Sequence, residues 1–136
     1  MGRQKPRFTE TGIYHLYNRG VEKRRVFLDD QDHLRFVHSL FEFNDLEPAT
    51  PTNQRFKISQ PSKAKELHLF QSLEVKPLKR KRKKLVEILI FTLMPNHFHL
   101  LLQQVRDGGI IKFMQKIGTG YTMYFNQKYK RVGSLF

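Results

Sequence analysis

An α+β fold is predicted for this sequence, with an antiparallel sheet carrying helices on one face. Three observations predict it: a strand-like alternation near the N-terminus, two strand-like runs separated by Pro95-Asn96, and a helical repeat after the first strand and again after the last. Ile13, His15 and Tyr17 alternate with Tyr14, Leu16 and Asn18 up to Arg19-Gly20, which reads as a strand and a turn. From Asp30, read as an N-cap, Leu34, Val37, His38 and Phe41 recur at helical spacing and predict a helix over 30–44.

Residues 46–84 form a polar, basic insertion, nearly forty residues long and therefore well beyond an ordinary loop. Its first part carries three prolines and little apolar periodicity. Residues 64–75 have weak helical character through Leu67, Phe70 and Leu73, and 76–84 hold seven basic residues in nine, a run that cannot be core. Val86 to Met94 is the most strand-like run; Pro95-Asn96 then leads into HFHLLLQQV, so a hairpin is predicted. After Asp107-Gly108-Gly109, residues Ile110, Met114, Ile117, Tyr121 and Tyr124 mark one face of a helix. Gly118 and Gly120 each weaken that helix by about 1 kcal/mol relative to alanine. The order strand, helix, strand, strand, helix is that of a ferredoxin-like or RNA-recognition-like sandwich whose closing strand is not reached by Phe136.

The 136 residues, 39% of them apolar, are read as a single domain. Twenty-five lysines and arginines against twelve acidic residues give a net charge of +13, which points to a polyanionic partner. The absence of cysteine excludes a disulfide framework and any thiolate metal site. No run resembles a signal peptide or a membrane span, so the expectation is a cytoplasmic protein with no membrane partner.

The chemistry-bearing constellation is His97-Phe98-His99. Alternation along a strand puts both imidazoles on one face and Phe98, Leu100 and Leu102 on the other. Imidazoles so placed converge on one point, where they could hold a divalent cation with one further ligand and waters. On spacing alone, two histidines on a half-exposed sheet face account for the pattern more simply. His15 could approach the same face, with a structural role preferred. Asp45, Glu47, Glu74 and Glu87 offer carboxylates, but no spacing selects one as a third ligand.

Three blocks in order extend the pattern: YHLYNRG over 14–20, MPNHFHLLL over 94–102 and YTMYFNQKYKRVGSLF over 121–136. Together they resemble the tyrosine-dependent single-strand transposases, the HUH enzymes, and within them the group associated with repetitive extragenic palindromes. The resemblance implies metal-assisted attack by a tyrosine hydroxyl on a phosphodiester of single-stranded, hairpin-forming DNA. The attack leaves a 5′-phosphotyrosyl link and a free 3′-hydroxyl, and the reverse reaction rejoins strands. It implies His97 and His99 as ligands of Mg2+ or Mn2+, with Phe98 between them. It further implies that the nucleophilic tyrosine, and usually a third ligand, lie on a later helix, expected beyond Phe136. Tyr121 and Tyr124 are expected to serve the core, and Tyr129 to face nucleic acid at best.

Arg19, Lys23, Arg24 and Arg25, following the first strand, are candidates for gripping phosphates, as are Lys128 and Arg131 at the end of the last helix. Lys79 to Lys84 reads as a basic arm with non-specific affinity. The rival to a transposase is a non-catalytic single-stranded nucleic-acid-binding module whose histidine pair is idle. A homodimer is permitted by an exposed sheet edge.

Overall fold

The computed structural model describes residues 7–48 and 81–136. Three strands, β1 (Ile13–Arg19), β2 (Val86–Met94) and β3 (His97–Gln104), and two helices, α1 (Asp30–Glu42) and α2 (Gly109–Tyr129), follow in the order β1, α1, β2, β3, α2. The sheet is antiparallel in the order β1-β3-β2, so β3 is central. The predicted α+β class and all five elements are present. The weak helix read over 64–75 and most of the basic run lie outside the described residues.

β3 alternates strictly between half-buried and buried positions. Its inward side chains Phe98, Leu100 and Leu102 form the floor of the core with Phe36 and Leu40 of α1 and Phe113, Ile117 and Tyr121 of α2. The Phe36 ring lies 4.7 Å from that of Phe98, which puts α1 on this face of the sheet. A register shift between Ile88 and Ile90 interrupts β2, one extra residue on an edge strand.

Helix α1 departs from the sequence reading in its cap and its face. Asp29, in extended conformation, is the N-cap and accepts from the Asp32 amide at 2.9 Å, so Asp30 is the first helical residue. The buried positions are Asp32, Phe36, Ser39, Leu40 and Glu42 rather than the stripe from Leu34 to Phe41. Phe41 is 47% exposed and lies beneath the guanidinium of Arg82, 3.9 Å from its ring centroid.

The helix stops at Glu42 because Asn44 is employed otherwise. Its buried side-chain oxygen accepts from the amides of Leu85 and Val86, both at 3.0 Å, and its amino group donates to the Val86 carbonyl at 2.8 Å. With the Leu46 amide donating to the Lys83 carbonyl, the two sides of the long insertion meet at its base. The described end of the basic run is therefore tied down. Arg82 reaches the Phe41 and Asn44 carbonyls, Lys83 pairs with Glu47 and Lys84 with Glu87.

In α2 the buried positions are Ile110, Phe113, Ile117, Tyr121 and Phe125, while Met114 and Tyr124 are half-buried at the stripe's margin. Gly120 makes room for the Phe43 ring, which a Cβ there would displace. After α2 the chain returns to the core. Leu135 is fully buried, its carbonyl accepts from the Val21 amide at 2.9 Å, and the Phe136 ring packs against Phe98.

Candidate metal centre and nucleic-acid face

The sheet face opposite the helices is open. Cross-strand register sets Arg19 beside His97, Tyr17 beside His99 and His15 beside Leu101, with Met94 and Thr92 of β2 on the other flank. His97 and His99 thus project from the central strand on the face expected of them, their rings 5.0 Å apart and edge-on. His15 joins them: its Nε2 lies 2.9 Å from Nδ1 of His99, with the rings stacked at 5.1 Å. It is exposed on the histidine face rather than a satisfied core residue. On the other imidazole, His97 Nδ1 meets Asn96 Oδ1 at 2.7 Å.

Burial, and then the neighbouring His15 and His97, hold His99 below the ordinary histidine range. The neutral imidazole, the form that ligates a metal, is favoured there. Two imidazoles on an open face suit a divalent ion that fills its remaining positions with water and phosphate oxygens. Among the described residues, no group of three or more His, Asp or Glu side chains is arranged to hold a metal.

Arg19 ends β1 opposite His97, and the three basic residues that follow it are held near this site by backbone bonds. The Gly20 amide donates to the Asn96 carbonyl at 2.9 Å, and the Val26 and Phe27 amides both donate to the Pro95 carbonyl. The 20–27 loop is therefore docked on the hairpin turn immediately before His97. Within it Val21–Lys23 forms a short 3-10 turn, with Glu22 and Lys23 in the left-handed region. Arg19, Lys23 and Arg25 are exposed and Arg24 is half-buried.

Lys128 and Arg131 are placed differently. Lys128 donates to Asp29 and to the fully buried Asp32, at 2.6 Å and 2.8 Å. Arg131 donates to Asn126 and to the Ser134 carbonyl. Lys128, already paired with two carboxylates, has little left to offer a phosphate, whereas Arg131, bonded to neutral oxygens, keeps its charge.

Asp32 also accepts from the hydroxyls of Tyr124 (2.8 Å) and Tyr129 (2.6 Å) and from the Leu28 amide (2.8 Å). Tyr129 consequently points into the α1–α2 junction rather than toward a nucleic acid. Tyr121 is buried and donates to the Val26 carbonyl, in keeping with a core role, and burial, then Asp32, push its hydroxyl far up. The Tyr14 hydroxyl is held by Thr9. Tyr17 is 67% exposed on the histidine face, its ring 5.8 Å from that of His99.

Sequence reasoning did not single out Asn96 or Tyr17 as site residues. For Asn96 the available signal was its position directly before the histidine pair in a turn; for Tyr17 it was its alternation with His15. The Asp32 network left no sequence signal, because its side-chain partners lie more than ninety residues away.

Among the described residues, no helix is long and apolar enough to cross a membrane. The family model described as IS200-like transposase matches residues 52–136, well over half of the chain, a span that takes in β2, β3 and α2 with the histidine pair. No curated protein and no solved structure matches the chain.

Proposed function

The chain belongs to the IS200-like transposase family, and from that premise we propose that it cleaves and rejoins single-stranded, hairpin-forming DNA on the open face of its sheet. Its role is DNA transposition and its partner is DNA. The reading rests on one observation above the others: His97 and His99 lie on the uncovered face of the central strand, beside Arg19 and at the turn onto which the loop carrying Lys23, Arg24 and Arg25 is docked.

On this reading His97 and His99 hold Mg2+ or Mn2+, which when bound would polarise a non-bridging phosphate oxygen and offset the growing negative charge. Arg19, Lys23, Arg24 and Arg25 orient the strand through its phosphates, and Tyr17 and the exposed apolar side chains Ile13, Ile90 and Met94 offer surfaces to its bases. The attacking tyrosine forms the O–P bond as the 3′-oxygen leaves. It is none of Tyr121, Tyr124 and Tyr129, whose hydroxyls are engaged among the helices. On the same reading the fold is a ferredoxin-like sandwich, and two copies pair along a sheet edge.

That no group of three or more ligands is arranged to hold a metal among the described residues favours the rival reading, a binding module with an idle pair. Titration with Mn2+, followed by electron paramagnetic resonance, separates the two. Stoichiometric binding that is lost in His97→Ala and in His99→Ala supports the enzyme. Hairpin DNA binding without any ion binding at millimolar Mn2+ supports the module.

A further inference from the structure

A neutral imidazole carries one proton and ligates through its other nitrogen, so a metal-binding histidine depends on whatever fixes its tautomer. Both histidines of the pair have Nδ1 engaged, and by different partners. For His97 the orientation of Asn96 favours one assignment of the roles. The Asn96 amino group faces the Lys23 carbonyl at 3.4 Å, which leaves Oδ1 as the atom presented to His97 Nδ1 at 2.7 Å. A carboxamide oxygen only accepts, so Nδ1 donates and the lone pair resides on Nε2. Asn96 is itself held by the Gly20 amide on its carbonyl, and Pro95 before it by Val26 and Phe27.

For His99 the 2.9 Å contact joins Nδ1 to Nε2 of His15. One of the two nitrogens carries the proton. When His99 donates, its Nε2 is left as the ligating atom, matching His97.

We propose that Asn96 and His15 are positioning residues that accept the Nδ1 protons of His97 and His99 and present both Nε2 atoms to a divalent ion. The proposal rests on the reading that this pair holds a metal, and it adds how the pair is kept in ligating form. It also gives the docked basic loop a second duty: through the Lys23 carbonyl and the Gly20 amide, that loop sets the orientation of Asn96.

The test reads tautomers and ion affinity separately. Long-range proton–nitrogen correlation spectra of the ion-free, nitrogen-15-labelled protein at pH 8 should show both histidines protonated at Nδ1. Asn96→Ala should release His97 toward the Nε2–H form and weaken Mn2+ binding by about 10–100-fold, the usual effect of removing such a partner. Asn96→Asp, which keeps an acceptor, should restore both. His15→Ala should do the same to His99, with rescue by His15→Gln. Circular dichroism melts of each variant exclude unfolding as the cause. Nε2–H tautomers in the parent protein overturn the proposal, as does an Asn96→Ala variant with unchanged tautomer and affinity. Loss of all Mn2+ binding in His15→Ala with the His99 tautomer unchanged overturns it for His15, which would then be a ligand. If the parent binds no Mn2+ while both histidines are Nδ1–H, the metal reading fails and the tautomer assignment stands; if Mn2+ binds to Nε2–H histidines, only this inference fails.

Discussion

Asp32→Asn should be among the most damaging near-isosteric changes in the chain. One fully buried carboxylate accepts from four donors: Lys128 and Tyr124 on Oδ1, Tyr129 and the Leu28 amide on Oδ2. An asparagine puts an amino group where an acceptor was needed and removes the charge facing Lys128. Breaking a buried ion pair from one side costs about 3–5 kcal/mol. Lys128 keeps Asp29 at 2.6 Å and its side chain is 22% exposed, which relieves part of that cost. The expected loss is therefore near the lower bound, about 3 kcal/mol, a large share of the stability of a single domain.

The pH dependence of that loss is determined by sign. Burial alone would raise the Asp32 pKa, but the bonds from Lys128, Tyr129, Leu28 and Tyr124 outweigh it and hold the carboxyl below the ordinary carboxylate range. As pH falls, the unfolded chain takes up this proton before the folded one does. The contribution is thus complete above the unfolded value of about 4 and disappears as pH falls through the lower folded value. Urea unfolding followed by far-ultraviolet circular dichroism should show the full deficit of Asp32→Asn at pH 7 and a smaller one at pH 3. A variant within about 0.5 kcal/mol of the parent at pH 7, the range of an inconsequential surface change, would refute the reasoning. So would an equal deficit at both pH values.

On β3, Phe98→Ala should cost about 3–5 kcal/mol, since the ring is 1% exposed and packed on Phe36 and Phe136. His99→Ala next to it should cost under about 1 kcal/mol in the same unfolding assay while abolishing Mn2+ binding. Hairpin DNA affinity, measured by fluorescence anisotropy, should fall about tenfold or more from 50 to 200 mM salt. In that series Arg19→Ala should reduce the slope by about one phosphate contact, whereas Lys128→Met should destabilise the fold and leave the slope alone. With labelled hairpin DNA and Mn2+, a denaturing gel should show no phosphotyrosyl adduct through Tyr121, Tyr124 or Tyr129; an adduct lost in any of their phenylalanine variants overturns the exclusion of these residues.

The strands were legible to the residue or nearly so, because alternation is local and β2 and β3 read as strongly patterned runs on either side of Pro95-Asn96. Helix α1 was legible as a helix but not in its orientation. Leu34, Val37, His38 and Phe41 form an apolar stripe at the right spacing, yet the helix is rotated so that Asp32 and Ser39 share the buried face with Phe36 and Leu40. That rotation is dictated by partners distant in sequence: Tyr124, Lys128 and Tyr129 need Asp32, and Arg82 needs the Phe41 ring. The same cause hid the assignments of Lys128 and Tyr129, which resemble a basic surface patch until the carboxylate ninety residues earlier is placed beside them. The placement of His97 and His99 on the open face was legible from strand parity alone. Asn96 and the docking of the 20–27 loop were not, since both depend on tertiary hydrogen bonds.

The string from Met94 to Leu102 is dense in consequence because each residue has a separate physical task. Met94 lies beside His97 on the open face, the Pro95 carbonyl receives the Val26 and Phe27 amides, and Asn96 receives Gly20 and His97. Then parity takes over: His97 and His99 face outward, while Phe98, Leu100 and Leu102 complete the core. Core and site therefore share one strand and cannot be altered in register independently. A single residue inserted between Asn96 and His97 would exchange the two faces of β3, sending imidazoles toward Phe36 and a phenylalanine toward the solvent. The stability conferred by the inward residues is thus also what aims the histidines, and that aim is kept beside the basic loop because the turn preceding them is where the loop is fastened.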